Sequence, residues 1–247
     1  MDCVDKIAQA REWIQHTDNI VFFGGAGTST ESGIPDFRSE NGLYSRPGKA
    51  GVSPEYALSH PFMVENPDDF SYLYKNNLIY PDAVPSVLHR VLVEWEEQGK
   101  LKTIITQNVD RLHQKAGSTR VIELHGNLSD HQCAQCGKRF DVDYALQFEN
   151  AAICDACGGF VRPMVTLYGE SLPVGAYEQA AQAVSSADVL IVAGTSLVVY
   201  PAAGLLQYYR GNKLLLINKQ TTPQDKRADL VFRDDIGFVL EQISKEA

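Results

Sequence analysis

Between Thr103 and Gly126 the chain reads TIITQNVDRLHQKAGSTRVIELHG. Two short apolar runs, Thr103 to Thr106 and Val121 to Leu124, each end in polar or ionisable side chains. Buried strands that stop at such residues belong to an open α/β sheet, where ligands sit beyond the carboxyl ends of the strands. Gln107, Asn108, Asp110 and His125 are therefore expected around one crevice. Most Asn and Asp residues in loops are caps and turn formers. One such turn would be read that way, but here other strand ends repeat the pattern.

The first repetition is at the N-terminal end. Asp2 can cap a helix on which Val4, Ile7, Ala8 and Ile14 recur at helical spacing. Ile20-Val21-Phe22-Phe23 is a buried strand running into GGAGTSTESG. Glycines there let backbone approach a pyrophosphate, and free N–H groups at a helix start favour its charge. Gly25 and Gly27 supply G-x-G, but Thr30 stands where a third glycine is usual, and no acidic ribose partner is evident about 20 residues on. Alone, the loop reads equally as an ordinary tight turn. Phe37 and Arg38 follow, an aromatic face and a cation beside it, or a surface turn with a paired Arg.

Later strands repeat the pattern. Met164 to Leu167 is a short extended run before Tyr168-Gly169-Glu170, and Val174 to Ser185 a helix. Val189 to Ala193 ends in Gly194-Thr195-Ser196, Leu214 to Ile217 ends in Asn218, and Leu230 to Phe232 precedes a helix over Ile236 to Ile243. Continuous apolar strands alternating with helices predict a parallel sheet covered on both faces. Ser196 and Asn218 suit ribose hydroxyls and an adenine edge, or equally helix capping.

Two stretches interrupt this pattern. From Ser39 to Pro85 the periodicity weakens. RPGKAGVSP reads as a loop, His60-Pro61 and Asn66-Pro67 as helix starts, and Phe70 to Tyr80 as a Tyr-rich helix whose stripe is core packing. Pro85 opens a clear helix that Gly99 ends. The second stretch holds Cys133-x-x-Cys136 and Cys154-x-x-Cys157, separated by 17 residues. That spacing matches a four-thiolate zinc ribbon, a closed shell with a structural role; a redox pair or an iron–sulfur site are the alternatives. Gly137 and Gly158-Gly159 after the second cysteine of each pair favour zinc.

A formal net charge of −9 argues against nonspecific nucleic-acid binding and suits basic partners such as lysine-bearing peptides. No apolar run is long enough for a bilayer, the first residues do not read as a signal peptide, and a soluble cytoplasmic protein is expected. The oligomeric state stays open, a monomer being favoured.

Taken together the motifs resemble the sirtuins, NAD-dependent protein-lysine deacylases, in their compact bacterial or archaeal form. The resemblance runs from Ile20 to about Leu240 and rests on GAGTSTESGIPDFR, TQNVDRLH, His125-Gly126, both cysteine pairs, GTSLVVYPA and LLLIN in that order. It implies a Rossmann-like NAD-binding domain from residues 1–39, 86–128 and 163–247. It also implies a small domain from a helical module, 40–85, and a zinc ribbon, 129–162.

The resemblance further implies that NAD is consumed. The acyl-lysine oxygen attacks the ribose carbon, nicotinamide leaves, an alkylimidate forms, and water releases lysine and O-acyl-ADP-ribose. His125 is then the general base, and an imidazole suits proton transfer near neutral pH. Asn108 would hold the ribose and a water, and Asp110 with Val109 the nicotinamide carboxamide. Phe37 would shield the reacting carbon. Gly25, Ala26, Gly27, Thr30, Arg38 and Gln107 would line phosphates and ribose, and Gly194, Thr195, Ser196, Asn218, Asp235 and Ile236 the adenosine end. The substrate peptide would lie as a strand between Val165, Leu167, Tyr168, Gly169, Glu170 and the loop with Leu197 and Val198. Where desuccinylating members carry Tyr-x-x-Arg, this chain has Tyr72-Leu73-Tyr74-Lys75. Lys75 meets an acidic acyl group less well than a bidentate Arg, so neutral acyl groups are expected. A mono-ADP-ribosyltransferase and a non-catalytic NAD sensor or zinc-ribbon interaction protein are the other readings.

Overall fold

The computed structural model describes residues 2–45 and 52–245. Most of the expected RPGKAGVSP loop, residues 46–51, lies outside them. Along the chain run α1 (Cys3–Gln15), β1 (Ile20–Gly24), α2 (Pro54–Ala57), α3 (His60–Glu65), α4 (Pro67–Asn77), α5 (Val87–Glu97), β2 (Leu101–Thr106), α6 (Leu112–Ala116) and β3 (Val121–Glu123). There follow β4 (Gly126–Cys133), β5 (Arg139–Asp141), α7 (Val142–Leu146), β6 (Ala152–Ile153), β7 (Phe160–Val165), α8 (Ala176–Ser186), β8 (Val189–Ala193), β9 (Leu214–Ile217), β10 (Leu230–Phe232) and α9 (Ile236–Ser244).

Six strands form one parallel sheet in the order β10-β9-β8-β1-β2-β3. Their apolar residues alternate between two cores. Ile20 and Phe22 face Leu88, Leu92, Trp95 and Leu240, while Val21 and Phe23 face Ala180, Val184 and Leu205. Both faces are covered, which is why these strands read as continuous apolar runs. The register pairs Gly24 with both Thr106 and Ala193, Thr106 with Glu123, Ala193 with Ile217, and Ile217 with Phe232. All six strands thus end in one row. The chain steps outward from β1 to β2 and β3, then returns to the other side of β1 with β8. The strand order reverses between β1 and β8, the place where open α/β sheets bind ligands.

The four-stranded antiparallel sheet β5-β4-β7-β6 carries the cysteines. Helices α2 to α4 pack beside it, with Phe62, Phe70, Tyr74, Leu128, Val165 and Leu167 in one core. Tyr74 is fully buried, as expected of the stripe, but Tyr72 is 67% exposed.

Several boundaries differ from the sequence reading. The extended run expected over Met164 to Leu167 begins at Phe160, because β7 pairs with β4 and β6. Helix α5 starts at Val87 rather than Pro85, since Ser86 is its cap: the Ser86 N–H donates to His89 Nδ1 at 3.2 Å. The glycine loop enters a 3-10 turn, Ala26–Ser32, which Gly33 ends in the left-handed region at φ +83°. A long phosphate-facing α-helix does not follow β1.

Candidate active site

The aligned strand ends put Gly25, Gln107, Gly194 and Asn218 on one edge, with His125 two residues beyond β3. They line a cleft of about 680 Å³, a size ordinary for small-molecule sites. Of the residues expected here, Gly25, Ala26, Gly27, Thr30, Phe37, Arg38, Gln107, Asn108, Val109, Asp110, His125, Gly194, Thr195, Ser196, Asn218, Asp235 and Ile236 line it. Val165, Leu167, Tyr168, Gly169 and Glu170 do so as well. Leu197 and Val198 are not in the lining, which passes from Ser196 to Val199 and Tyr200. Leu197 adopts φ +55° and turns its side chain into the core, where it is buried.

The glycines act differently from the expectation. A Cβ on Gly27 would lie 2.7 Å from Gly194 Cα, and one on Gly194 would lie 2.6 Å from the Thr28 nitrogen. The two loops cross backbone to backbone, and the Gly27 N–H donates to the Gly194 carbonyl at 2.8 Å. Only residues without side chains permit that approach. The turn is shaped first by β8 and then by whatever it binds.

Asn108 is held by two buried hydroxyls. Its Nδ2 donates to Thr28 Oγ1 at 2.9 Å and to Ser29 Oγ at 2.8 Å. The Thr28 hydroxyl in turn donates to the Gly25 carbonyl at 2.7 Å, and the Ser29 hydroxyl to Asp110 Oδ2 at 2.6 Å. Both amide protons are spent inside the protein, so Asn108 offers the cleft an acceptor oxygen. Burial pushes the Asp110 carboxyl up, against the opposing pull of the Ser29 and Leu112 hydrogen bonds. Gln107 Nε2 donates to Thr195 Oγ1 at 3.0 Å, tying β2 to the β8 loop across the switch point.

His125 Nδ1 lies 3.0 Å from the Gln107 carbonyl oxygen. A carbonyl only accepts, so the neutral ring carries its proton on Nδ1. Nε2 keeps a lone pair, with no protein partner among the described residues. Burial lowers the pKa of the ring, and the Gln107 bond partly opposes this. The ring is therefore a neutral base near pH 7. Gly126 fixes its position: at φ +67°, a Cβ there would sit 2.0 Å from the Met164 carbonyl oxygen.

A scan of family models matches residues 25–201 to the Sir2 family. The chain belongs to the Sir2 family.

A Sir2-family relative from Clostridium acetobutylicum, called an NAD-dependent protein deacetylase, is 52% identical over 241 residues, covering 97% of this chain and 98% of its own. A solved structure of Sir2 with a p53 peptide and NAD+ superposes with a TM-score of 0.85 at 36% identity, covering 96% of each chain. Another, Sir2 bound to an acetylated peptide, gives 0.84 at 35% identity over 96% of each. The fold is the Sir2 fold: a Rossmann-like parallel sheet with a small domain of zinc ribbon and helices.

In that small domain the Sγ atoms of Cys133, Cys136, Cys154 and Cys157 all lie within 4.8 Å of one another. Cys133 to Cys157 is 3.4 Å and Cys136 to Cys154 is 3.6 Å. A tetrahedral zinc with Zn–S near 2.3 Å needs edges of about 3.8 Å. Gly137 and Gly158 close the two knuckles at φ +75° and +74°, with N–H bonds back to Cys133 and Cys154. Four thiolates fill the shell, so the ion they fit is structural.

Two expected contacts are reassigned. Lys75 does not reach the cleft: its Nζ donates to the Phe148 and Asn150 carbonyls, both at 2.8 Å. The carbonyls at the end of the segment between the cysteine pairs draw the ammonium there, so it docks α4 on the ribbon. Glu170 lines the cleft, but its carboxylate is bound by Arg162 and by the Leu167 N–H at 2.9 Å. It braces the turn and has little left for a peptide. Thr28 and Ser29 were missed as site residues, although they sit inside the quoted glycine motif. Nothing local distinguishes a hydroxyl that caps a turn from one that orients Asn108.

Proposed function

We propose that this chain is an NAD-dependent protein-lysine deacetylase that consumes NAD and releases nicotinamide, O-acyl-ADP-ribose and free lysine. One observation carries the reading: a histidine with its Nδ1 proton locked on a backbone carbonyl and its Nε2 bare, in a cleft at the sheet's switch point. The names of the Sir2-family relatives support the same reaction. NAD, when bound, supplies a ribose carbon that exchanges nicotinamide for the acyl oxygen of lysine.

The residues then divide the work. His125 Nε2 takes a ribose hydroxyl proton, and the Gln107 carbonyl steadies the imidazolium that results. Asn108 Oδ1 accepts from a ribose hydroxyl or a water, because its amide protons are already committed. Asp110 and Val109 meet the carboxamide, and Phe37 covers the reacting carbon. Gly25, Ala26, Gly27, Thr30, Arg38 and Gln107 line phosphates and ribose. Gly194, Thr195, Ser196, Asn218, Asp235 and Ile236 take the adenosine end. The peptide lies along Val165 to Gly169. Engagement of Lys75 by two carbonyls supports acetyl and other neutral acyl groups over succinyl.

The two separate sheets support a division into residues 1–39, 86–128 and 163–247 against 40–85 and 129–162, although β4 and β7 cross those bounds. Among the described residues no helix is long and apolar enough to cross a membrane. Four thiols kept for a metal suit a reducing cytoplasm.

The test is direct. Acetyl-lysine peptide and NAD together should give nicotinamide and deacetylated peptide in equal amounts. Nicotinamide released without peptide, or none at all, would defeat the reading, as would ADP-ribose found on the protein target by mass spectrometry.

A further inference from the structure

The loop that carries Phe37 and Arg38 is fastened by Tyr44, a residue given no role so far, to Tyr168 of the peptide-facing turn. Tyr44 Oη lies 3.1 Å from Tyr168 Oη. The Tyr44 ring meets Phe37 edge to face at 5.5 Å between centroids, and the Arg38 guanidinium sits 5.4 Å from the same ring. Backbone bonds close the loop on itself: Tyr44 N–H donates to the Phe37 carbonyl at 3.0 Å and Leu43 N–H to the Asp36 carbonyl at 2.7 Å. Asp36 Oδ1 accepts from the Arg38 and Ser39 amides. The segment from Asp36 to Tyr44 is thus a small closed unit with Tyr44 at its neck, beside Phe37.

Tyr168 is a fixed post. Its N–H donates to the Leu58 carbonyl and its carbonyl accepts from the His60 N–H, both at 3.0 Å. Its neighbour Leu167 is held by Glu170. The turn is held by its own backbone bonds, whereas among the described residues the Tyr44–Tyr168 pair is the hydrogen bond that joins the loop to it. Burial and the Tyr168 hydroxyl both hold the Tyr44 hydroxyl in its protonated form, so the bond persists across the neutral range.

We infer that Tyr44 is a positioning residue: its hydroxyl bond to Tyr168 latches the Asp36 to Tyr44 unit, and with it Phe37 and Arg38, onto the turn that receives the peptide. This deepens the functional reading above and rests on it for the naming of the two ligands. Closing the cofactor side onto the peptide side gives each ligand one wall made by the other's site. A loop already closed binds NAD without the cost of ordering itself.

The experiment is a double-mutant cycle with Tyr44→Phe, Tyr168→Phe and the double variant, reading the NAD dissociation constant by calorimetry on the zinc-loaded protein. Phe keeps the ring and its packing on Phe37 and removes only the hydroxyl. Each single variant should weaken NAD about threefold to tenfold, the range of one net hydrogen bond, and the double variant should weaken it no further. Amide exchange at Leu43 and Tyr44 in NAD-free protein should rise in both singles alike, a change that a purely catalytic role would not produce. Additive effects, or NAD affinity and exchange unchanged in all three variants, would overturn the latch. Binding is read without turnover. A wild type that binds NAD but never deacetylates would sink the functional reading and leave this cycle interpretable.

Discussion

Lowering the pH from 7.5 to 5.5 should destabilise this protein through a pair of histidines remote from the chemistry. The rings of His89 and His113 meet at a tilt, 4.8 Å between centroids, between α5 and α6, with relative exposures of 1% and 2%. Among the described residues neither ring nitrogen of His113 has a hydrogen-bond partner, nor does His89 Nε2. Burial drives His89 down to about 4, helped by Arg90, and His113 down to about 3, helped by His89. In the unfolded chain each titrates near 6.5. A folded pKa below the unfolded one means the unfolded state binds more protons, so the stability is complete above 6.5 and is lost as pH falls through that window. At pH 5.5 each histidine forfeits about 1 kcal/mol, roughly 2 to 3 kcal/mol for the pair. Urea unfolding at pH 7.5, 6.5 and 5.5 would measure this in wild type and in His113→Leu, which removes one titrating group without stranding a partner. Between the two limits the variant should lose about 1 kcal/mol less stability than wild type, the share of the one histidine removed, because His125 and His131, also lowered by burial, titrate in both proteins. Protonation of the cysteine thiolates affects both proteins equally and cancels in the difference. Parallel stability curves for the two proteins would refute the argument.

Three further outcomes follow from the site. His125→Ala should keep the fold and NAD binding and lose turnover by about a hundredfold or more, and the acid limb of kcat/KM in wild type should fall below pH 6.5, since burial lowers that ring's pKa; a limb above 6.5 would remove His125 as the base. Gly126→Ala places a methyl 2.0 Å from the Met164 carbonyl at φ +67°, so Tm should fall by several degrees and kcat should fall more than the NAD dissociation constant rises; an unchanged kcat would show that the ring position tolerates a shift in β4. Cys133→Ser should lose zinc and folding together, followed by metal assay and circular dichroism, and a zinc-free variant that stays folded would contradict the structural role of the ion.

Some of this was legible one residue at a time. The apolar runs, the two cysteine pairs with their glycines, and the cap at Asp2 are local signals, because burial, thiolate spacing and turn conformation act over a few residues. The Asp2 cap is present, with its carboxylate accepting from the Asp5 N–H at 2.9 Å. The role of Lys75 was not legible, because its ammonium is placed by carbonyls more than seventy positions away. Leu197 looked like a loop residue facing a peptide, and a backbone turn at φ +55° sends it inward instead.

The sequence by itself determined a doubly covered parallel sheet, a thiolate ribbon, and the residue types able to take a proton, accept from a sugar and line a phosphate. Tertiary structure alone decided which of them meet. Strand register brings Gly24, Thr106, Ala193 and Ile217 to one row, and only then do Gly25, Gln107, Gly194 and Asn218 share an edge. Thr28 and Ser29 orient an asparagine about eighty residues away, and the Gln107 carbonyl chooses the tautomer of His125. Periodicity records what each residue buries, but a hydrogen bond between distant strands depends on distances that exist only once the sheet has formed.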